Sequence, residues 1–558
     1  MLALLRQLIN RPLFAFELLT ISFFVNLLGL ASSIYVIQVL NRYVSHGIDA
    51  TLITLTSGVL LAVILEFFFR QLRSKLAQGV TVPPAYNLLL MVFAQIVSVR
   101  SSLLDRLSSG QRREIVSSPG VVARVYGPST LATCLDLPFA LMFVGALFLL
   151  QAEVAWVASV FILAAFLVSA VSYIPLKKPQ KIQAQASSEA GAMAFSSMRR
   201  PDTSRAFNAQ NLLRGRWKRQ QTQVMDAGRL LEGRRVFFQS LTKTIASLMS
   251  IAVIGVGAKL TVAGEMDMGL MIGANILAAR AIAPILAFAQ LRPALSEAER
   301  AMELLKGFSK LAVERPGGRE LANLDGGLAF NDLAFAHRGE THVLFESLSF
   351  TLQGGQSLLV VGGNGVGKTT LSRLLMGLLE PSRGQILLNG VNMDQVSLSW
   401  WRKQVAYLPQ EPEFFDGTIR ENLLSLNPHI TEEQLAVVTA EAGLTHFLHN
   451  HPKGLDAPIL NDGTNLAAGV RKRLALARAL TSDKRIAIFD EPMEGMDGQG
   501  RSAVSKVLGA FINNGRSVVV FSHDISLVSG ADMVLDLDSK PVPTLTYRTA
   551  KPSGVASP

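Results

Sequence analysis

The sequence predicts an all-α membrane domain of six spans joined to a soluble α/β domain with a largely parallel sheet. Long apolar runs crowd the first 300 residues, and of the 558 residues 49% are hydrophobic against 17% charged. That composition calls for several bilayer spans. From about residue 327 onward, short β-rich runs alternate with helical stretches, the pattern of a layered α/β domain.

Each span is a run of about twenty apolar residues, the length that a hydrocarbon core of roughly 30 Å requires of a helix. They are expected at 18–40, 52–69, 131–150, 154–174, 241–262 and 268–288. Only Gln151, Ala152 and Glu153 separate the third from the fourth, and the turn before the sixth carries Glu265 and Asp267, so both pairs are expected as tight hairpins. Basic residues set the orientation. Arg70, Arg73 and Lys75 close the second span, and Arg100, Arg106, Arg112, Arg113 and Arg124 follow it. Between the fourth and fifth spans lie thirteen more Lys and Arg, from Lys177 to Arg235 and including Arg200. Both long basic loops, and both termini, are therefore expected on the cytoplasmic side. Helix-like patterning at 88–97 and 211–231 makes these loops extensions of the spans rather than flexible linkers.

The net charge of +11 is explained by this topology, and no zinc-finger or aromatic-basic pattern accompanies it, so nucleic acid is not an expected partner. The single cysteine, Cys134, lies in an apolar run and is read as a small core residue. Residues 1–11 form a short amphipathic stretch before Pro12, without the cleavage site of a signal peptide.

The membrane domain is expected over 1–300 and a linker over 301–326, where Arg315-Pro316-Gly317-Gly318 is the breaker signal. The soluble domain is expected over 327–545, with buried strands at 356–361, 405–408, 486–489 and 517–521, and a disordered tail over 546–558.

The strongest local motif is Gly362-Gly363-Asn364-Gly365-Val366-Gly367-Lys368-Thr369-Thr370, between the strand-like Leu358-Leu359-Val360-Val361 and a helix-like run. This is the P-loop pattern in its strand–loop–helix context. Glycines let backbone N–H groups approach phosphate oxygens, and the helix N-terminus favours an anion. Lys368 is expected to reach the β- and γ-phosphates of ATP, and Thr369 to ligate Mg²⁺. Downstream, Ile486-Ala487-Ile488-Phe489-Asp490-Glu491 is a buried strand ending in two carboxylates. Asp490 suits the holding of Mg²⁺ and Glu491 the base that orients the attacking water.

On these residues the soluble part resembles the ATP-binding-cassette domain along its whole length. The resemblance assigns Gln410, in Tyr407-Leu408-Pro409-Gln410, to the glutamine that senses Mg²⁺. It assigns Asp497, in Glu494-Gly495-Met496-Asp497, to the D-loop. His523, in Phe521-Ser522-His523-Asp524, becomes the switch histidine at the γ-phosphate. Two places depart from the family. His337, in Phe335-Ala336-His337-Arg338-Gly339, stands where an aromatic residue usually stacks on adenine. The signature loop, usually Leu-Ser-Gly-Gly-Gln, reads Leu466-Ala467-Ala468-Gly469-Val470. The missing hydroxyl would have donated to the γ-phosphate of ATP held by a second half-transporter, and loss of one such aimed donor is worth about 3 kcal/mol in a transition state. A homodimer would have two weakened sites. A heterodimer with a partner of intact signature would have one good one, and is the favoured expectation.

The membrane half is similar to type I secretion permease/ATPases, through Tyr35-Val36-Ile37-Gln38-Val39, Leu135-Asp136-Leu137-Pro138-Phe139 and Ala274-Asn275-Ile276-Leu277-Ala278-Ala279-Arg280-Ala281-Ile282-Ala283-Pro284. Asp136 is expected to cap or pair structurally, and Arg280 to face a cavity or a carboxylate rather than lipid. The resemblance implies an ATPase in the bacterial inner membrane that exports a protein or peptide. A periplasmic adaptor and an outer-membrane channel are the implied partners. No N-terminal peptidase domain is expected before the first span, and an unprocessed cargo is expected accordingly. The alternatives are a lipid or small-molecule exporter, and a poorly hydrolysing regulatory half of a heterodimer.

Overall fold

The computed structural model describes residues 12–199, 201–315, 317–337, 343–481, 484–524 and 530–547. The expectations for 1–11, Arg200, Pro316, Arg338, Gly339 and 548–558 lie outside the described residues. Two compact units divide between Val313 and Glu314, with Arg100–Ser102 grouped with the second.

In the first unit, six helices among the described residues are long and apolar enough to cross a membrane: Pro12–His46, Asp49–Ser98, Pro128–Leu150, Ala152–Met198, Gln210–Val262 and Met268–Ser309. Each contains one of the expected runs. At 1.5 Å per residue the second helix is about 75 Å long, more than twice a bilayer core of roughly 30 Å. The patterned stretches 88–97 and 211–231 lie inside the second and fifth helices. A π-helical stretch, Val39–Tyr43, interrupts the first; no residue there announced it. The third helix ends at Leu150 and the fourth begins at Ala152, so Gln151 alone makes the turn.

Small residues let these helices close. On the sixth helix, a Cβ added to Gly273 would lie 2.2 Å from Ile37 Cγ1, and one on Gly269 would lie 2.3 Å from Asn41 Oδ1. Two glycines four apart bring backbones together in this way. The approach is used, since Gly269 N–H donates to Asn41 Oδ1 at 3.1 Å.

Asp136 pairs as the sequence suggested. Its Oδ1 accepts from Arg73 Nη1 at 2.5 Å and from Asn26 Nδ2 at 3.1 Å. Arg280 is half-buried, and its guanidinium donates to the Ser32 hydroxyl on the first helix at 3.0 Å, so of the two expected surroundings the carboxylate is not the partner found. Gly29 makes this possible: a Cβ there would sit 2.8 Å from Arg280 Nη1.

The second unit is built on two sheets. A four-stranded antiparallel sheet has the order β2-β1-β4-β5, with β1 at Leu328–Ala336, β2 at Val343–Leu352, β4 at Arg383–Leu388 and β5 at Val391–Asn392. A six-stranded sheet has the order β12-β11-β3-β10-β9-β6. Its members are β3 (Ser357–Val361), β6 (Val405–Leu408), β9 (Ile486–Asp490), β10 (Ser517–Phe521), β11 (Met533–Asp536) and β12 (Thr544–Tyr547). Its strands run parallel except β12, which pairs antiparallel with β11. All residues of β9 and β10 are buried, which is why these strands read as continuous apolar runs. The short strands β7 (Gly417–Thr418) and β8 (Pro458–Ile459) pair separately.

Two sequence boundaries differ from the structure. The stretch 301–326, expected as a linker, opens as the last turns of the sixth helix, which runs to Ser309; its apolar periodicity continues past the expected span at 268–288, and the Pro/Gly breaker comes only later. Residues 546 and 547, assigned to a disordered tail, close strand β12, where pairing with β11 outweighs their low apolar content.

The Arg73–Asp136 pair supports a stability prediction. Removing one partner of a buried ion pair strands the other charge, at about 3 kcal/mol. Asp136→Leu should lower the melting temperature of the detergent-purified chain, and adding Arg73→Leu should recover most of the loss.

Candidate functional site

The site forms where the parallel strands end. The P-loop 362–367 leaves β3 and enters helix α1 (Lys368–Leu375). Gly362, Gly365 and Gly367 have φ of 146°, 82° and 112°, conformations that an L side chain rarely adopts. At Gly362 space is limiting as well, since a Cβ would meet Val366 Cγ2 at 2.8 Å. Gly367 caps α1, so the helix N-terminus faces the loop.

Lys368 is buried beneath the loop. Its Nζ donates to Gly362 O at 2.6 Å and to Gly363 O at 3.1 Å, and lies 3.3 Å from Glu491 Oε1. Glu491 follows β9 in a left-handed conformation, φ 45°. Its N–H donates to Phe521 O at 2.9 Å, and its carbonyl accepts from buried Lys472 Nζ at 2.8 Å. The other carboxylate oxygen, Oε2, meets His523 Nδ1 at 2.9 Å and Ser522 Oγ at 3.4 Å. Glu491 thus bridges the P-loop lysine and a histidine whose side chain is 67% exposed.

Asp490 ends β9 fully buried. Ser372 Oγ donates to its Oδ2 at 3.1 Å, whereas Oδ1 has no partner. Burial pushes its pKa up, and the nearby side chains of Thr369 and Ser372 partly oppose that. Thr369 Oγ1 donates to Gln410 Oε1 at 3.1 Å, and Gln410 Nε2 donates to Glu494 Oε2 at 3.1 Å. The structure therefore gathers Asp490, Thr369 and Gln410, all oxygen donors of the hard kind that Mg²⁺ prefers. The orphaned buried Oδ1 is the observation that fits a cation at this point.

Asp497 caps helix α3 (Gly498–Asn513), accepting from Gly500 N–H at 2.8 Å. Its other oxygen lies 3.5 Å from Arg473 Nη2. The signature residues begin helix α2 (Ala468–Leu480). Ala467 is the N-cap and offers no side-chain cap, a loss of about 1 kcal/mol relative to serine. Ala467 and Ala468 are exposed, Leu466 and Gly469 half-buried, and Val470 buried. Among the described residues, 466–470 make no hydrogen bond or ion pair to the P-loop. His337 is exposed, with its ring edge-on to Phe335 at 5.1 Å.

Sequence reasoning missed Ser372, Lys472 and Glu494. Ser372 and Lys472 are polar residues on otherwise buried helix faces, a signal visible once the strands are placed. Glu494 gave none apart from its neighbourhood to Asp497.

A strand-end P-loop, a buried Asp-Glu pair and a histidine on adjacent parallel strands define a P-loop ATPase, here joined to a helical membrane unit. Comparison with known proteins makes the assignment specific. Residues 345–494 match the ABC transporter family model and 16–284 match the ABC transporter transmembrane region, so the chain belongs to the ABC transporters. The chain is similar to the type I secretion system ATP-binding protein PrsD of Rhizobium meliloti (strain 1021), with 27% identity over 92% of this chain and 87% of the relative. It is also similar to the alpha-hemolysin translocation ATP-binding protein HlyB of Escherichia coli O157:H7, at 23% identity over 94% and 74%. A solved bacterial Atm1-family ABC exporter with ATP bound shares the fold, with a TM-score of 0.83 at 18% identity, covering 94% of this chain and 93% of the other.

The buried carboxylate makes a stability prediction with a defined sign. The folded pKa of Asp490 is raised, so the folded state holds that proton more tightly than the unfolded chain. Its penalty is present in full above the folded pKa and is relieved as pH falls through it. At pH 7, Asp490→Asn should therefore raise the melting temperature of the nucleotide-free protein, and the gain should shrink on acidification.

Proposed function

We propose that this ABC transporter is one half of a type I secretion exporter in a bacterial inner membrane. ATP hydrolysis in its cytoplasmic domain would drive a protein or peptide towards a periplasmic adaptor and an outer-membrane channel. The similarity to PrsD and HlyB over more than nine-tenths of this chain carries that reading.

The proposed chemistry rests on the Lys368–Glu491–His523 cluster. Phosphate oxygens entering the P-loop draw Lys368 Nζ off the carbonyls of Gly362 and Gly363 and away from Glu491. The freed Glu491 carboxylate orients the water that attacks the γ-phosphorus and accepts its proton as ADP departs. His523, held by Glu491 Oε2, reaches the γ-phosphate from its exposed position. Backbone N–H groups from Gly365 to Thr370 and the α1 N-terminus take up phosphate charge. Mg²⁺, held by Thr369, Gln410 and Asp490, supplies neutralisation of the β- and γ-oxygens when bound. His337 offers an imidazole face to adenine in place of the usual larger aromatic ring.

We further propose a heterodimeric assembly. Residues 466–470 meet the ATP of a partner half, and Asp497 lies at the same junction. Ala467 brings no hydroxyl to that phosphate, whereas the P-loop side of this chain is complete. The partner is accordingly a half-transporter with an intact signature serine. The regulatory reading, in which this half does not turn over, is favoured by Ala467 and opposed by the Glu491–His523 contact.

Two experiments test these proposals. Replacing the chromosomal copy by Glu491→Gln should remove specific proteins from the culture supernatant. An unchanged supernatant with altered envelope lipids would instead identify a lipid exporter. For the assembly, purified chain alone should hydrolyse ATP slowly, and Ala467→Ser with Ala468→Gly should raise the rate roughly tenfold or more. Brisk hydrolysis by the unmodified chain alone, abolished by Glu491→Gln, would overturn the heterodimer.

A further inference from the structure

The P-loop is gripped from outside by two side chains that the motif does not contain. After β11 the chain turns back over the loop. Asp538 accepts the Gly363 N–H through both oxygens, at 2.9 and 3.1 Å. Two residues later, Lys540 Nζ donates to Val366 O at 3.0 Å and to Leu344 O. Both residues are exposed, so they hold the loop from its solvent side. Asp538 is itself oriented, because its N–H donates to Asp536 Oδ1 at 2.9 Å.

Peptide planarity turns these contacts into an orientation device. In a trans peptide the C=O of one residue and the N–H of the next point in opposite directions. Asp538 draws the Gly363 N–H outward, so the carbonyl of the same peptide, Gly362 O, points inward, where Lys368 Nζ meets it at 2.6 Å. Lys540 draws the Val366 carbonyl outward, so the Gly367 N–H points into the cradle. Gly367 is the residue at which α1 begins, and its φ of 112° gives the backbone there little restraint of its own.

We infer that Asp538 and Lys540 are positioning residues for ATP. They fix two P-loop peptides so that one carbonyl holds Lys368 and one N–H faces the phosphates before nucleotide arrives. Neither side chain touches the nucleotide; each acts through a backbone group. The two contacts have opposite polarity, a carboxylate on an N–H and an ammonium on a carbonyl, and exchanging the two residues would reverse both. The chain that returns from β11 thereby contributes to nucleotide affinity as well as to the sheet.

Equilibrium binding tests this without requiring turnover or a partner subunit. Full-length protein in detergent would be titrated with ATP and ADP, by displacement of a fluorescent ATP analogue, for the wild type and for Lys540→Ala, Lys540→Arg, Asp538→Ala and Asp538→Asn. Loss of the Lys540 grip should raise the Kd of both nucleotides about fivefold, the size of one ordinary hydrogen bond, and loss of the Asp538 grip should raise it less, because the Gly362 carbonyl that it orients also competes with phosphate for Lys368. Lys540→Arg should return to within about twofold of wild type, since it can still donate to Val366 O. The nucleotide-free melting temperature should be unchanged in all four. Unaltered Kd values in both alanine variants would overturn the inference. So would a weakened affinity that tracks a fall in melting temperature and is not rescued by arginine, because the strap would then be only a structural support.

Discussion

The register of three parallel strands is the constraint on which the nucleotide site depends. Phe521 of β10 lies opposite Val360 of β3 on one side and Asp490 of β9 on the other. Each strand therefore delivers its next residues to the same edge: the P-loop after β3, Glu491 after β9 and His523 after β10. In a parallel sheet, sites form at such carboxyl ends, where neighbouring strands open a crevice. A slip of one residue in β9 would turn its side chains to the opposite faces, carrying Asp490 away from Ser372. Both faces of β9 are buried, so that slip is opposed by side-chain packing and by the Asp490–Ser372 contact rather than by apolar alternation. Phe489 and Phe521, each buried at 0% exposure, stabilise the fold by about 2 kcal/mol apiece.

The same arrangement confines groups that would rather be elsewhere. Asp490 ends an apolar strand at the bottom of the site, and its carboxylate is satisfied at one oxygen only. Glu491 sits in a left-handed conformation that costs on the order of 1–3 kcal/mol for a non-glycine residue. It persists because its peptide groups are held from both sides, the N–H by Phe521 O and the carbonyl by Lys472 Nζ. Lys472 itself loses solvation, and burial pushes its pKa down, although the carboxylates of Glu494, Glu491 and Asp490 oppose that. The core thus offsets the cost of holding these charged groups away from solvent.

Much of this was legible in the sequence because each signal has a local cause. Apolar runs must span because backbone groups cannot be satisfied in lipid except within a helix; all six appeared as helices. The strands at 405–408 and 517–521 were readable because burial on both faces, complete in the second and broken only at half-buried Tyr407 in the first, leaves almost no alternation to confuse them. The P-loop was readable because its glycines answer a steric requirement. What was not legible depends on partners far away in sequence. The antiparallel sheet containing β1 and β2 alternates weakly and is interrupted by irregular register between Phe330 and Ala336. Asp538 and Lys540 reach the P-loop across 175 and 174 residues, and nothing in their local pattern separates them from a solvated turn. Arg280 shows the opposite limit. Its position in an apolar run demanded a partner, yet a serine hydroxyl and the room left by Gly29 satisfied the demand.

The altered signature has a physical boundary that bears on how it is interpreted. Helix α2 remains fully integrated: Val470, Lys472, Arg473, Leu474, Ala475, Leu476 and Ala477 are buried, Lys472 holds the Glu491 carbonyl, and Arg473 holds Gly443 O at 2.9 Å. Decay of an unused element would be expected to reach such interior contacts as readily as the surface. Here the two alanines stand on the exposed edge, at 467 and 468, and the missing cap is worth only about 1 kcal/mol to the helix. Ala467 leaves that exposed edge without a hydroxyl, while the helix that supports this chain's own Glu491 is intact. Its effect therefore falls on whatever that edge faces, and the Lys368–Glu491–His523 contacts on the P-loop side do not involve it.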